Sequence, residues 1–253
     1  MMTIPPEVPP IPPGWLVHPL AAGITAMVVE KPPPLTPALI AEIEAHWLAA
    51  QAASGGALFN GTVFSVDMIT GACLSGHMTE YRRVLAQFRD PGLFDILKLR
   101  PLAVCGVLVS PDGVVLGRRH GGAVYQSGMW QTPPAGNVDG RAVRPDGEID
   151  FLGQLFAELR EEIGLSRDTI TATRPLALVE HAQTHVLDLG FELSTRLGAG
   201  AIIAAHAGAG NDEYERLRLV AVADLPGFLA RVGPEMVPSV PILLHAAGLI
   251  GAC

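Results

Sequence analysis

Ala157-Glu-Leu-Arg-Glu-Glu-Ile-Gly-Leu165 is the stretch that decides how this chain is read. Glu158, Glu161 and Glu162 stand at i, i+3 and i+4, so a helix puts all three carboxylates on one face. Like charges so close repel one another and weaken an isolated helix. A hard divalent cation such as Mg²⁺ or Mn²⁺ relieves that repulsion, because it takes oxygen ligands and compensates the charge. On spacing alone, a solvated acidic helix end accounts for the trio at least as well. The surroundings separate the two readings.

Working outward, the helix runs roughly from Asp150 to Ile163 and is closed by Gly164. Before it lies a loop with Gly128, Trp130, Pro133, Pro134 and Gly136. Further upstream, Leu102 to Val109 is an almost continuous apolar run, Ser110-Pro-Asp-Gly113 is a turn, and Val114 to Arg118 returns, which predicts a β-hairpin. Downstream, strands are expected at Arg174–Glu180 and His185–Leu193, then a Gly/Ala-rich connection from Gly198 to Gly210. A strand at Leu217–Val222 and a helix after Pro241 complete that half.

The N-terminal portion differs in texture. Its proline-rich opening, to Gly14, should be extended and polyproline-like. A strand follows at Gly23–Val29, then a helix capped by Thr36 with Pro37 at its first position and Leu39, Ile40, Ile43 and Trp47 along one face. Leu58 to Ser75 reads as two strands joined at Ile69-Thr-Gly-Ala72, and Glu80 to Phe88 as a helix ending near Asp90-Pro-Gly92. The expected division is a module over residues 1–98 and a mixed α/β domain over 99–253.

Composition narrows the function classes. Of 253 residues, 49% are hydrophobic and only 17% charged, against the roughly 25% usual for soluble domains. That excludes a disordered chain. The formal charge is 17 − 25 = −8, which argues against a nucleic-acid-binding face but not against a phosphate bridged by metal. Cys73, Cys105 and Cys253 form no CxxC pair, and fit thiols in a reducing compartment better than disulfides or a zinc site. Met1 to Gly14 lacks a basic segment and holds six prolines, so it does not read as a signal peptide. The uncharged stretches Ala45–Val66 and Met236–Cys253 are too interrupted by polar residues, glycine or proline to read as membrane spans. The expectation is a soluble, cytoplasmic protein.

Taken together, Pro134-Ala-Gly-Asn-Val-Asp139, Asp146-Gly-Glu148 and Ala157–Leu165 resemble the Nudix hydrolase signature, Gly-x5-Glu-x7-Arg-Glu-U-x-Glu-Glu-x-Gly-U with U a bulky apolar residue. Gly136 matches the first glycine and Glu148 the first glutamate. Glu158, Leu159, Glu161, Glu162, Gly164 and Leu165 match the second half position by position. Val115-Leu-Gly-Arg-Arg119 and the Trp130 to Pro134 segment also resemble the family's approach to the box. The likeness covers about Leu102 to Leu244. Three departures stand out: Gly140 to Pro145 reads as an insertion, the stretch from Glu148 to Ala157 is one residue long, and Ala157 replaces the box arginine, which in the family orients a catalytic glutamate.

The resemblance implies an α/β/α sandwich with a mixed sheet, plus the N-terminal α+β module. It implies metal-dependent hydrolysis of a nucleoside diphosphate linked to another group, with Mg²⁺ or Mn²⁺ as cofactor. Glu158, Glu161 and Glu162 become the metal ligands, and the Gly136 carbonyl a further one. Glu158 and Glu162, or a later loop glutamate, carry the catalysis. Glu213 and Glu215 are the later candidates, Glu215 at the spot where the family often has one. Arg118 and Arg119 alternate across a strand, so only one faces a phosphate. Glu180, His181 and His185 sit on strands beside the site and could contact substrate, and Tyr125 and Trp130 could stack on a base, but ordinary core, surface or packing roles are the readier reading of each. The layout is similar to Nudix proteins that split UDP-glucose and UDP-galactose into UMP and a sugar 1-phosphate. CoA, ADP-ribose or NADH pyrophosphatases are the alternative enzymes, and a degenerate nucleotide-binding domain the non-enzymatic one. Homodimerisation is a further implication of the family.

Overall fold

The computed structural model describes residues 13–21, 23–29, 31–123, 125–209 and 211–251. The proline-rich opening as far as residue 12, and Cys253, lie outside them. The organising element is the run β5 (Leu102–Ser110), buried on both faces because its side chains alternate between two helical layers. Leu102, Val104 and Leu108 pack toward α4 (Phe151–Glu158), while Ala103, Cys105 and Val107 pack toward α6 (Leu225–Val232) and α7 (Ser239–Ala246). Strands β6 (Gly113–Arg119), β9 (Ile170–Glu180), β10 (Leu187–Thr195) and β11 (Tyr214–Val220) extend the sheet in the order β9-β10-β5-β6-β11. Only β10 and β5 run parallel. The result is the expected mixed sheet between helical layers.

The predicted hairpin forms, then opens. β5 and β6 pair only at Val109↔Val114 and Ser110↔Gly113. Beyond that they part, and the free edges are taken by β7 (Trp130–Gln131) on β6 and β8 (Ala135–Asn137) on β5. Gly106 makes the parting tight, since a Cβ there would lie 2.4 Å from the Pro134 ring. β8 therefore brings Gly136 beside Val104, at the mouth of the split.

The module supplies a second sheet, in the order β2 (Thr25–Val28), β4 (Cys73–Glu80), β3 (Thr62–Ile69), with α1 (Pro37–Ala53) and α2 (Tyr81–Arg89) packed together. Thr36 caps α1 as expected, accepting from the Leu39 amide at 3.3 Å. Leu39 and Ile43 are buried, whereas Ile40 points to solvent at 51% exposure. A strand not anticipated from sequence, β1 (Leu16–His18), pairs with β9 and so joins the main sheet. Ala26, Phe64, Val66 and Leu74 share one apolar core with α4. Backbone bonds cross the seam, from Phe64 N–H to Val138 (2.8 Å) and from Ile149 N–H to Ala26 (2.9 Å).

Two further differences have plain causes. Residues Gly198 to Gly210, expected as a connection, contain the helix α5 (Ala199–Ala209). Alanine is the strongest helix former, and the first turn is held from outside, the Ala199 amide donating to Asp112 at 2.7 Å. The last helix begins at Ser239, before Pro241, because proline is tolerated within a first turn. Among the described residues no helix is long and apolar enough to cross a membrane.

Candidate functional site

α4 carries two parallel ridges at four-residue spacing. Phe151, Leu155, Leu159 and Ile163 enter the core, and beside them run Gln154, Glu158 and Glu162. The last turn, Leu159–Ile163, widens to π geometry, a feature often found at functional sites. Gly164 ends it at φ +75. Asp150 caps the start of the helix by accepting from the Gly153 amide at 2.9 Å. Glu148 lies apart, paired with Arg144 at 3.0 Å.

The ridge faces a cleft of about 1040 Å³ between the split hairpin and the module. Glu158, Glu161, Glu162, Gly136, Arg119 and Glu213 all line it. Gly136 is close enough to Glu158 that a Cβ there would fall 2.2 Å from the carboxylate carbon, so any side chain at this position would push the carboxylate aside. Each carboxylate has its own donor. Glu158 accepts from Gln154 at 2.6 Å, Glu162 from the Ala135 amide at 3.0 Å, and Glu161 from Arg141 at 3.2 Å.

Among the described residues, the hydrogen-bond donors to Glu158 and Glu162 are neutral, and only Glu161 of the trio is paired with a basic side chain. Glu162 is 4% exposed, and burial, then repulsion from Glu158 and Glu213, pushes its carboxyl well above the usual range. Burial also pushes Glu158 up to about 7, against the Gln154 bond, with Glu161 adding repulsion. Glu161 is half-exposed and held outward by Arg141. Among the described residues the set with ligand atoms already within 4.8 Å of one another lies elsewhere, at Glu42, His46 and Asp90. Hard oxygen donors, a glycine gap and the mutual repulsion of the carboxylates together fit a divalent cation.

The alternation at the end of β6 sends its two arginines opposite ways. Arg119 enters the cleft, bonded to Gln131 at 2.8 Å and to Glu213 at 2.8 Å, and its Nε is buried without a partner. Arg118, offered as a phosphate contact, instead reaches Glu235 at 2.6 Å and is not brought to the cleft. A β-bulge between Tyr214 and Arg216 sorts the loop carboxylates similarly. Glu213 lines the cleft, while Glu215, the favoured later candidate, accepts from the Gly121 amide at 3.1 Å outside it.

The far wall was only half legible. His181 and Asp188 form a buried 2.6 Å pair, and Tyr125 OH reaches His181 Nδ1 at 2.8 Å. Phe88 stacks on Tyr125 at 5.3 Å. Trp130 is buried edge-on against Phe228, and His185 bonds Glu180 away from the cleft. Sequence reading missed Phe59, Asn60, Thr62 and Tyr81, which the module places along the cleft. Asn60 binds the Arg82 amide at 2.9 Å and Thr62 accepts from the Gly140 amide at 3.1 Å, so the inserted loop and the module are tied together.

No family model and no curated protein matches the chain. Solved structures do. The chain is similar to a bifunctional NMN adenylyltransferase/ADP ribose pyrophosphatase from Francisella tularensis, at 11% identity and TM-score 0.42, over 67% of this chain and 49% of that one. It thus spans about half the length of that protein. It is also similar to Tm1382, a proposed Nudix hydrolase, at 15% identity and TM-score 0.44, over 80% and 95% of the two chains. A C. elegans Ap4A hydrolase matches at 17% identity and TM-score 0.30, over 53% and 91%.

Proposed function

We propose that this chain is a Nudix-type hydrolase that uses Mg²⁺ or Mn²⁺ to cleave the phosphoanhydride of a nucleoside diphosphate linked to a second group, in the first instance a nucleotide sugar such as UDP-glucose. The observation that carries the reading is the mutually repelling carboxylate trio Glu158, Glu161 and Glu162, beside a glycine gap at Gly136 and lining a cleft large enough for a whole nucleotide derivative.

Glu158, Glu161 and Glu162 would hold the cation, with the Gly136 carbonyl beside them. When bound, it neutralises phosphate charge and lowers the pKa of an attacking water. Arg119, fixed from two sides at the cleft wall, would offer its positive charge to a phosphate. Glu213, which lines the cleft and is paired with Arg119 at 2.8 Å, would be the loop carboxylate that takes a proton from water. The wall of Tyr125, Gln126 and His181 would face the group beyond the phosphates. Within this reading the chain divides at residue 98 into two functional parts, the module forming one wall of the substrate site. Its compartment is the cytoplasm, which suits the free thiols Cys73 and Cys105, and a second copy of the chain is its expected partner.

The test is product release from UDP-glucose, ADP-ribose, NADH and CoA, each with Mg²⁺ and with Mn²⁺. Turnover of UDP-sugars alone supports the full reading. Turnover of another member keeps the hydrolase and discards the sugar nucleotide. Nucleotide binding without product in any arm favours the degenerate binding domain.

A further inference from the structure

The inward ridge of α4 contains one member whose role the carboxylate chemistry leaves open. Gln154 is 3% exposed, beside Phe151 and Leu155, where helix periodicity calls for an apolar side chain. A buried amide needs a partner, and this one donates from Nε2 to Glu158 Oε1 at 2.6 Å. Among the described residues it is the sole hydrogen-bond donor to Glu158. Gln154 does not line the cleft, so it meets Glu158 and not the substrate. Nor does Ala157, the residue just before Glu158, compete: its side chain has no donor, and with Arg160 and Glu161 it borders a separate hollow of about 580 Å³.

We infer that Gln154 is a positioning residue, which fixes the Glu158 carboxylate toward the divalent cation by a bond from a neutral amide. The inference rests on the reading proposed above. Its physical content is twofold. One lone-pair site on Oε1 is taken, so the carboxylate rotor is locked in one setting and the remaining sites face the cleft. The donor is uncharged, so orientation is gained without cancelling the charge that attracts the cation; an arginine or lysine in its place would orient and neutralise at once. Partners of this kind outside the ligand shell are commonly worth 10–100-fold in metal affinity.

The experiment is Mn²⁺ binding to the whole chain, followed by the electron paramagnetic resonance signal of the free ion, for wild type and Gln154→Met. Methionine fills nearly the same volume and cannot donate. The expected result is a dissociation constant roughly 10–100-fold higher in the variant. The Mn²⁺ needed for half-maximal activity should rise by a similar factor, with KM for substrate at saturating Mn²⁺ unchanged. A packing role alone would lower the melting temperature and leave the dissociation constant where it was, and that result overturns the inference. Gln154→Asn, polar but too short to keep the bond, gives the same comparison if the methionine variant does not fold. Failure of wild type itself to bind Mn²⁺ overturns the metal site beneath the inference, which separates the two.

Discussion

Glu158 is the residue on which chemistry and stability pull in opposite directions. Replacing it by Gln keeps the shape and the neighbour but removes a ligand and its charge. Turnover should fall at least about 100-fold, measured at saturating Mg²⁺, with the circular dichroism spectrum unchanged. Normal activity would sink the ligand assignment. Stability should move the other way. An unfolded glutamate ionises near 4.3, whereas Glu158 in the fold holds its proton up to about 7. Between those values the native state binds more protons, so metal-free stability declines as pH rises through the interval. Glu158→Gln escapes this, and metal-free it should melt above wild type at pH 8 but not at pH 4.5; thermal melts in a chelator at the two pH values decide. The carboxylate trio and Gly136 stood out in the sequence only when the helix spacing was read together with the glycine-bearing segments ahead of it. That Glu213 and not Glu215 lines the cleft could not be read there, since a bulge between Tyr214 and Arg216 shifts the alternation of the strand.

At the scale of the element, α4 and its flanking glycines set the site. Gly136→Ala would drive a methyl into the Glu158 carboxylate, 2.2 Å from its carbon. Because the far end of a side chain can swing aside, the melting temperature should fall little while activity collapses, a split readable by paired melts and kinetics. Gly164→Ala should behave in reverse. It puts a side chain at φ +75 and a Cβ 2.5 Å from the Ala205 carbonyl, costing at least about 1–2 kcal/mol, or several degrees of melting temperature. No loss of stability there would show that the helix end adjusts freely. Elements with periodic patterns or explicit caps, such as α1 behind Thr36, were legible. α5 was not, because its alanines carry no face and its N-terminal support comes from Asp112, distant in sequence. β1 escaped for a similar reason, since it is three residues whose strand character comes from pairing with β9.

For the whole molecule, the cleft is built by both halves of the chain. Phe59 is 85% exposed at its rim, on a loop that Asn60 and Thr62 tie to α2 and to the inserted loop. A tethered, solvent-facing ring is suited to stack on a nucleobase, a contact worth about 1–3 kcal/mol. Phe59→Ala should raise KM for a nucleotide substrate roughly tenfold with kcat preserved, and Phe59→Tyr should restore it; steady-state kinetics give the answer, and an unchanged KM removes the module from base recognition. Composition and motif indicated two units, but not that the module's core would be continuous with that under α4. That continuity depends on contacts between distant segments, which no local pattern encodes. The central claim is metal-dependent cleavage at the α4 carboxylates, and the most direct measurement is the release of UMP and glucose 1-phosphate from UDP-glucose by wild type and Glu158→Gln, with Mg²⁺ and with chelator. The account predicts product only from wild type with Mg²⁺. Equal product from the variant, or from wild type in chelator, would contradict it.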